Sequence, residues 1–140
     1  MTDFGAQLAV DGEKPHVLIV EDDANAADAL RILFSETGHR VSLAYSARRA
    51  VQVASDDPPD LLLLDLTLPD GDGLDVIDQL RDRGVQMGTV IALTGHDHPS
   101  VKEECRARGC AEVLTKPVSI RELLRKAPGW IEAGGRGSRD

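Results

Sequence analysis

Short unbroken apolar runs alternate along this chain with segments in which apolar residues recur every three or four positions. His16-Val17-Leu18-Ile19-Val20 is short, apolar and rich in β-branched residues, which predicts a buried strand. Ala26, Ala29, Leu30, Leu33 and Phe34 then fall on one face of a helix. Gly38 stands where a left-handed cap would end it. Val41 to Ala44 predicts a second strand, and Ser46 an N-cap for a helix facing inward through Ala47, Ala50, Val51 and Ala54. Pro58-Pro59 interrupts the chain before Leu61-Leu62-Leu63-Leu64-Asp65, its most apolar strand. Asp72 is placed to cap a third helix with Gly73, Val76, Ile77 and Leu80 inward and Gly84 past its end. Thr89 to Thr94 predicts a fourth strand, followed by a polar helix from about Pro99 to Arg108 that Gly109 ends. Glu112 to Thr115 predicts a fifth strand. Ser119 and Glu122 form a capping box for a last helix facing inward through Ile120, Leu123, Leu124 and Ala127.

Apolar strands between amphipathic helices imply a parallel sheet covered on both faces. With right-handed crossovers, the predicted fold is an α/β, doubly wound, five-stranded parallel sheet with five helices, in the flavodoxin-like order 2-1-3-4-5. Residues 1–14 read as a tail and 15–130 as one domain; 131–140, with Gly134-Gly135-Arg136-Gly137-Ser138, read as a flexible end or the start of a linker. A chain of 140 residues leaves no room for a second domain.

Composition narrows the class. Aromatics are only 3% of residues against 41% hydrophobic, so the core must be aliphatic. A net charge of -8 argues against direct nucleic-acid binding by this domain and suits a cation site or a basic partner. Cys105 and Cys110 are too few for a disulfide framework and match no zinc spacing, so they read as packing residues. No apolar run approaches the roughly 20 residues that span a bilayer. The N-terminus lacks the order of a signal peptide, so the expected location is cytoplasmic.

Ligands of such sheets bind outside the carboxyl ends of the strands. The first predicted strand ends in Glu21-Asp22-Asp23, the third in Asp65, the fourth in Thr94 and the fifth in Thr115-Lys116-Pro117. Taken singly, these are ordinary residues: an acidic helix N-terminus, a turn cap, a β-forming threonine, a surface lysine. Together they suggest chemistry. Gathered carboxylates repel unless a cation joins them, and hard oxygen donors suit Mg²⁺. A carboxylate can attack phosphorus, and a lysine, a hydroxyl and a cation stabilise the oxygens of the transferring group.

On these residues the chain resembles the response regulator receiver family, over about residues 15–130. The matching pieces are the strand His16 to Val20 with Glu21-Asp22-Asp23; Leu61 to Asp65 with Pro69, Gly71, Asp72 and Gly73; Ile91 to Thr94 with Gly95; and Leu114 to Pro117. The resemblance implies two-component signalling in which Asp65 accepts a phosphoryl group in a Mg²⁺-dependent transfer from a phosphohistidine. The donor would be a sensor histidine kinase or a histidine phosphotransfer protein. Asp65, Lys116 and Thr94 would be the catalytic residues, and Glu21, Asp22, Asp65 and the Thr67 carbonyl the metal site, with Glu21 acting through water. Asp23 would cap the first helix, and Lys116-Pro117 would be cis. The domain would signal to a downstream protein rather than turn over a substrate. It could dimerise through the face of the fourth helix, fifth strand and fifth helix. Thr67 and His96 would flank the path of a water that slowly removes the phosphoryl group.

One departure stands out: the family often carries an aromatic three residues before the lysine, where this chain has Val113, so the usual aromatic switch cannot operate here. Val113 keeps open a receiver-like interaction module that no longer needs phosphate. A phosphatase with an aspartate nucleophile is a weaker rival, because that class needs a second acid where Thr67 stands. His96-Asp97-His98 hints at a metal clip, but neighbouring ligands on one short loop close poorly around one ion. His16 and His39 are expected at strand edges, and Val101 and Cys105 give the fourth helix a thin apolar stripe.

Overall fold

The structure is a computed structural model that describes residues 14–135. The first 13 positions of the expected tail, and residues 136–140, lie outside the described residues. Five parallel strands, β1 (His16–Val20), β2 (Arg40–Ala44), β3 (Leu61–Asp65), β4 (Thr89–Thr94) and β5 (Glu112–Thr115), form one sheet. Their order is β2-β1-β3-β4-β5, the arrangement expected from the sequence. The helices are α1 (Ala24–Glu36), α2 (Ala47–Asp56), α3 (Gly73–Asp82), α4 (Pro99–Ala107) and α5 (Ile120–Gly134). A two-residue antiparallel ribbon, Thr67–Leu68 against Gly71–Asp72, follows β3.

Successive strand side chains point to opposite faces, which divides the core in two. Val17, Ile19, Leu61, Leu63, Ile91 and Leu93 pack under α1 and α5 with Phe34, Leu123, Ala127, Trp130 and Ile131. Leu18, Val20, Leu62, Leu64, Val90 and Ala92 pack under α2, α3 and α4 with Ala50, Val51, Ile77, Leu80, Cys105 and Cys110. The predicted caps act as expected in most places. Asp23 accepts from Asn25 and Ala26 amides, Ser46 from Arg49, and Asp72 from Leu74. Gly38, Gly84 and Gly109 follow helix ends with positive φ of 93°, 72° and 97°.

Several expectations need correction. In α1 the buried alanine is Ala27, while Ala29 is exposed; an alanine pattern gives little preference for phase, and Leu30 and Phe34 set it. In α5, Ile120 and Leu124 are each 45% exposed rather than inward-facing. The helix runs to Gly134, so residues 131–134 belong to the packed unit and not to a tail. Trp130 and Ile131 turn its apolar stripe onto Leu123 and Ala127. Ser119 accepts the Glu122 amide, but the Glu122 carboxylate pairs with Lys126 at 3.2 Å, so among the hydrogen bonds found the capping box is one-sided. His16 is wholly buried rather than at an exposed edge, with Nε2 2.7 Å from Ser42 Oγ and its backbone N–H donating to Asp60 at 2.7 Å. Among the described residues, no helix is long and apolar enough to cross a membrane.

Candidate functional site

Parallel pairing brings the strand ends to one edge. Asp65 sits opposite Leu93 and Thr94 opposite Thr115, while Glu21 extends β1 and donates its amide to the Ala44 carbonyl at 3.0 Å. Lys116 follows β5 and donates its backbone N–H to the Thr94 carbonyl at 2.7 Å. These bonds fix where four side chains leave the sheet. The Lys116-Pro117 bond is cis.

Lys116 Nζ bridges two carboxylates, 2.8 Å from Glu21 Oε1 and 2.8 Å from Asp65 Oδ2. Both acids are buried, at 2% and 3% exposure, which a charged group tolerates only when paired. Asp65 Oδ1 accepts the Thr67 amide at 3.0 Å, and Glu21 Oε2 accepts the Asp23 amide at 3.1 Å. Burial pushes the Glu21 carboxyl above its ordinary range, against the hydrogen bonds from Lys116 and Asp23. Burial alone would lower the Lys116 ammonium, but its bonds to Asp65 and Glu21 outweigh that and hold it above its usual value. Asp22 is exposed at the rim. Carboxylate oxygens of Glu21, Asp22 and Asp65 lie within 4.8 Å of one another. Three hard oxygen donors against one ammonium make a donor set that fits a divalent cation retaining several waters.

Thr94 is buried at the same edge, but its hydroxyl is turned to the next loop: it accepts the His96 amide at 3.0 Å and faces the His96 carbonyl at 3.3 Å. Thr67 is exposed. Gly73 begins α3 hard against the end of β3, where a Cβ would strike the Asp65 carbonyl oxygen and come within 2.9 Å of Leu66 Cα.

One contact was not visible in the sequence. Asp70, in the loop after Asp65, accepts the amides of Ala47 and Arg48 at 2.7 and 3.0 Å. It therefore tethers the Asp65 loop to the N-terminus of α2, and these two backbone bonds hold its carboxyl below the usual range. Nothing in local periodicity signals a bond across 23 residues.

A doubly wound sheet with this edge defines a receiver-type α/β domain. The chain belongs to the response regulator receiver domain family, which matches residues 17–127. It is 34% identical over 110 residues to the response regulator MprA of Mycolicibacterium vanbaalenii, covering 79% of this chain and 47% of that protein. Identity to the virulence transcriptional regulatory protein PhoP of Salmonella typhimurium is also 34%, over 79% of this chain and 49% of that protein. The chain thus spans about half the length of these curated relatives. Among solved structures, the Francisella response regulator 1452 receiver domain superposes with TM-score 0.77 at 28% identity, covering 84% of this chain and 97% of that one. A CheY-like receiver domain protein from Methanospirillum hungatei shares the fold, with TM-score 0.78 at 24% identity over 85% and 94% of the two chains. The chain is therefore a response regulator receiver domain of two-component systems.

Proposed function

We propose that Asp65 accepts a phosphoryl group from the phosphohistidine of a sensor histidine kinase or a histidine phosphotransfer protein. The observation that carries this reading is Lys116 Nζ held 2.8 Å from both Glu21 and Asp65, inside an acidic cluster at the carboxyl edge of the sheet. A carboxylate oxygen of Asp65 attacks phosphorus as the P–N bond breaks, and the donor imidazole leaves and takes up a proton. Lys116 supplies positive charge to a phosphoryl oxygen and orients the Asp65 carboxylate through its hydrogen bond. The Thr94 hydroxyl leaves its two hydrogen bonds to His96 and turns to a second phosphoryl oxygen. Glu21, Asp22, Asp65 and the Thr67 carbonyl would hold Mg²⁺, which when bound offsets the negative charge of the transferring group. Thr67 and His96 stand at positions where they set how fast water removes the phosphoryl group, so the domain switches slowly rather than turning over a substrate.

An apolar groove of about 460 Å³ beside Lys116 supports the approach of a protein donor. Ala26, Ala29 and Leu30 of α1 form one wall, and Pro117, Val118 and Ile120 the other. The α4–β5–α5 face would meet a downstream protein or a second copy of the chain, while exposed Ile120 lies on the other flank of α5, in the groove against α1. Mass spectrometry after incubation with acetyl phosphate and Mg²⁺ tests the reading. A phosphoryl adduct is expected on the wild type and not on Asp65→Asn. No adduct on the wild type would leave the phosphate-independent interaction module, which Val113 keeps open.

A further inference from the structure

α4 is held unevenly. Cys105 is its only buried side chain, with Val101 partly covered. Its C-terminal end is clasped by α3: Arg81 Nη2 donates to the Arg108 carbonyl at 2.7 Å, and Arg108 Nε lies 3.4 Å from Asp78. Its N-terminal end depends on the loop from Thr94. The Thr94 hydroxyl closes on the His96 backbone, and two residues later the His98 ring caps the helix. His98 Nδ1 accepts the Ser100 amide at 3.2 Å and lies 2.8 Å from Ser100 Oγ. The His98 carbonyl accepts the Val101 amide at 3.0 Å and the Lys102 amide at 3.3 Å. Pro99, the first helical residue, has no N–H to satisfy.

Histidine is not among the residues favoured at N-caps. It can accept here only as the neutral ring with Nδ1 bare. A proton on Nδ1 removes the acceptor and places positive charge at the positive end of the helix. An imidazole nitrogen can carry that proton, whereas a serine or asparagine cap offers no such acceptor to protonate. Neighbouring charges are otherwise engaged. Asp97 pairs with Lys102 at 3.1 Å, Glu104 and Asp78 lie at Arg108, and Glu112 pairs with Lys126.

We propose that His98 is a positioning residue that joins the Thr94 loop to α4, and that its protonation releases the first turn of that helix. The joint supplies a route out of the site that needs no aromatic at Val113. Pulling Thr94 toward Asp65 breaks both His96 bonds and disturbs the cap from one side, and acid breaks it from the other. The two therefore reinforce each other. The acid response stands alone; the coupling to Thr94 rests on the phosphoacceptor reading.

Amide hydrogen exchange by NMR on the full chain tests it, reading protection at Val101 and Lys102 with β1 and β3 amides as a control. On acidification, protection at Val101 and Lys102 should fall about fivefold, the effect of losing a good N-cap. His98→Asn, a cap that does not titrate, should hold protection in acid. His98→Ala should have low protection at every pH. An acid response in His98→Asn equal to the wild type, or full protection in His98→Ala, overturns the proposal. At a pH where His98 is neutral, beryllofluoride with Mg²⁺ should lower protection at the same two amides. Binding seen at Asp65 and Thr94 without that change overturns the coupling. No binding at all refutes the phosphoacceptor reading and with it the coupling, while the acid response of Val101 and Lys102 still upholds or overturns the cap.

Discussion

The sheet is covered differently on its two sides. Under α1 and α5 the covering side chains are large: Phe34, Leu123, Trp130 and Ile131. Thr89 Oγ1 also ties the end of α5 to β4 through the Trp130 carbonyl at 2.7 Å, and Trp130 Nε1 donates to Glu112 at 3.2 Å. On the opposite side, α2 contributes mainly alanines and α4 a single buried cysteine. Dispersion and apolar burial scale with what is covered, so the first side is anchored and the margin at α4 is not. The thin margin lies next to Thr94, the residue proposed to turn to the phosphoryl group. A signalling domain needs this division: one face that does not move, and one short element that costs little to displace.

The largest effects should separate the two sides. Phe34→Ala should cost about 3–5 kcal/mol in urea unfolding, as large buried aromatics do. Val101→Ala in α4 should cost under about 1.5 kcal/mol, since that side chain is only partly covered. Equal costs would break the comparison. Gly73→Ala comes next, because its Cβ would meet the Asp65 backbone. A loss of about 1–3 kcal/mol is expected, together with weaker labelling of Asp65 by acetyl phosphate. Normal labelling at wild-type stability would show that α3 can back away from β3.

On the α2–α3–α4 side, where His16 points with Leu18 and Val20, acid should act through that buried imidazole. Burial holds the His16 imidazole below 6.5, although Asp57 at 3.7 Å pulls the other way. The unfolded chain then binds the proton first as pH falls below 6.5. The contribution of His16 is thus fully present above that value and declines on acidification toward the lower folded value, by at most about 1.4 kcal/mol per pH unit. Urea titrations over that range should show the slope, and His16→Gln should flatten it. An unchanged slope would move the effect to other groups. His98 should show its effect at the first turn of α4, through protection at Val101 and Lys102. The smallest effect is expected from Val113→Phe. A partly covered valine replaced by an aromatic should tighten α4 by about 0.5–1 kcal/mol and raise protection at its amides. Lower protection would mean that the margin is already full.

Much of the fold was legible because its signals are local. A five-residue apolar run is a strand of a covered parallel sheet whether or not its neighbours are known, and Asp23, Ser46 and Asp72 cap helices through amides two or three positions away. The candidate site was legible for a related reason. Parallel strands all present their carboxyl ends at one edge, so Glu21, Asp65, Thr94 and Lys116 needed only the strand order to meet. Failures came where local signals are weak. Ala26, Ala27 and Ala29 are alike in size and polarity, so the phase of α1 was set by Leu30 and Phe34 against the sheet. The domain was expected to end at residue 130 because the glycines that follow resemble a linker. Gly134 instead packs where a Cβ would strike the Thr89 amide, a reason for glycine that only the neighbouring strand supplies.

The sequence by itself determined the elements, their parallel order and the identity of the groups at the carboxyl edge, because periodicity, caps and strand ends are properties of adjacent residues. Tertiary structure decided the partners. It placed Lys116 between Glu21 and Asp65, tethered Asp70 to the start of α2, closed His16 inside the sheet, and turned Thr94 toward His96 rather than Asp65. Each of these is a choice among several chemically adequate partners. Most of them lie far apart along the chain, and packing settles the choice by bringing some within hydrogen-bonding reach and leaving others beyond it.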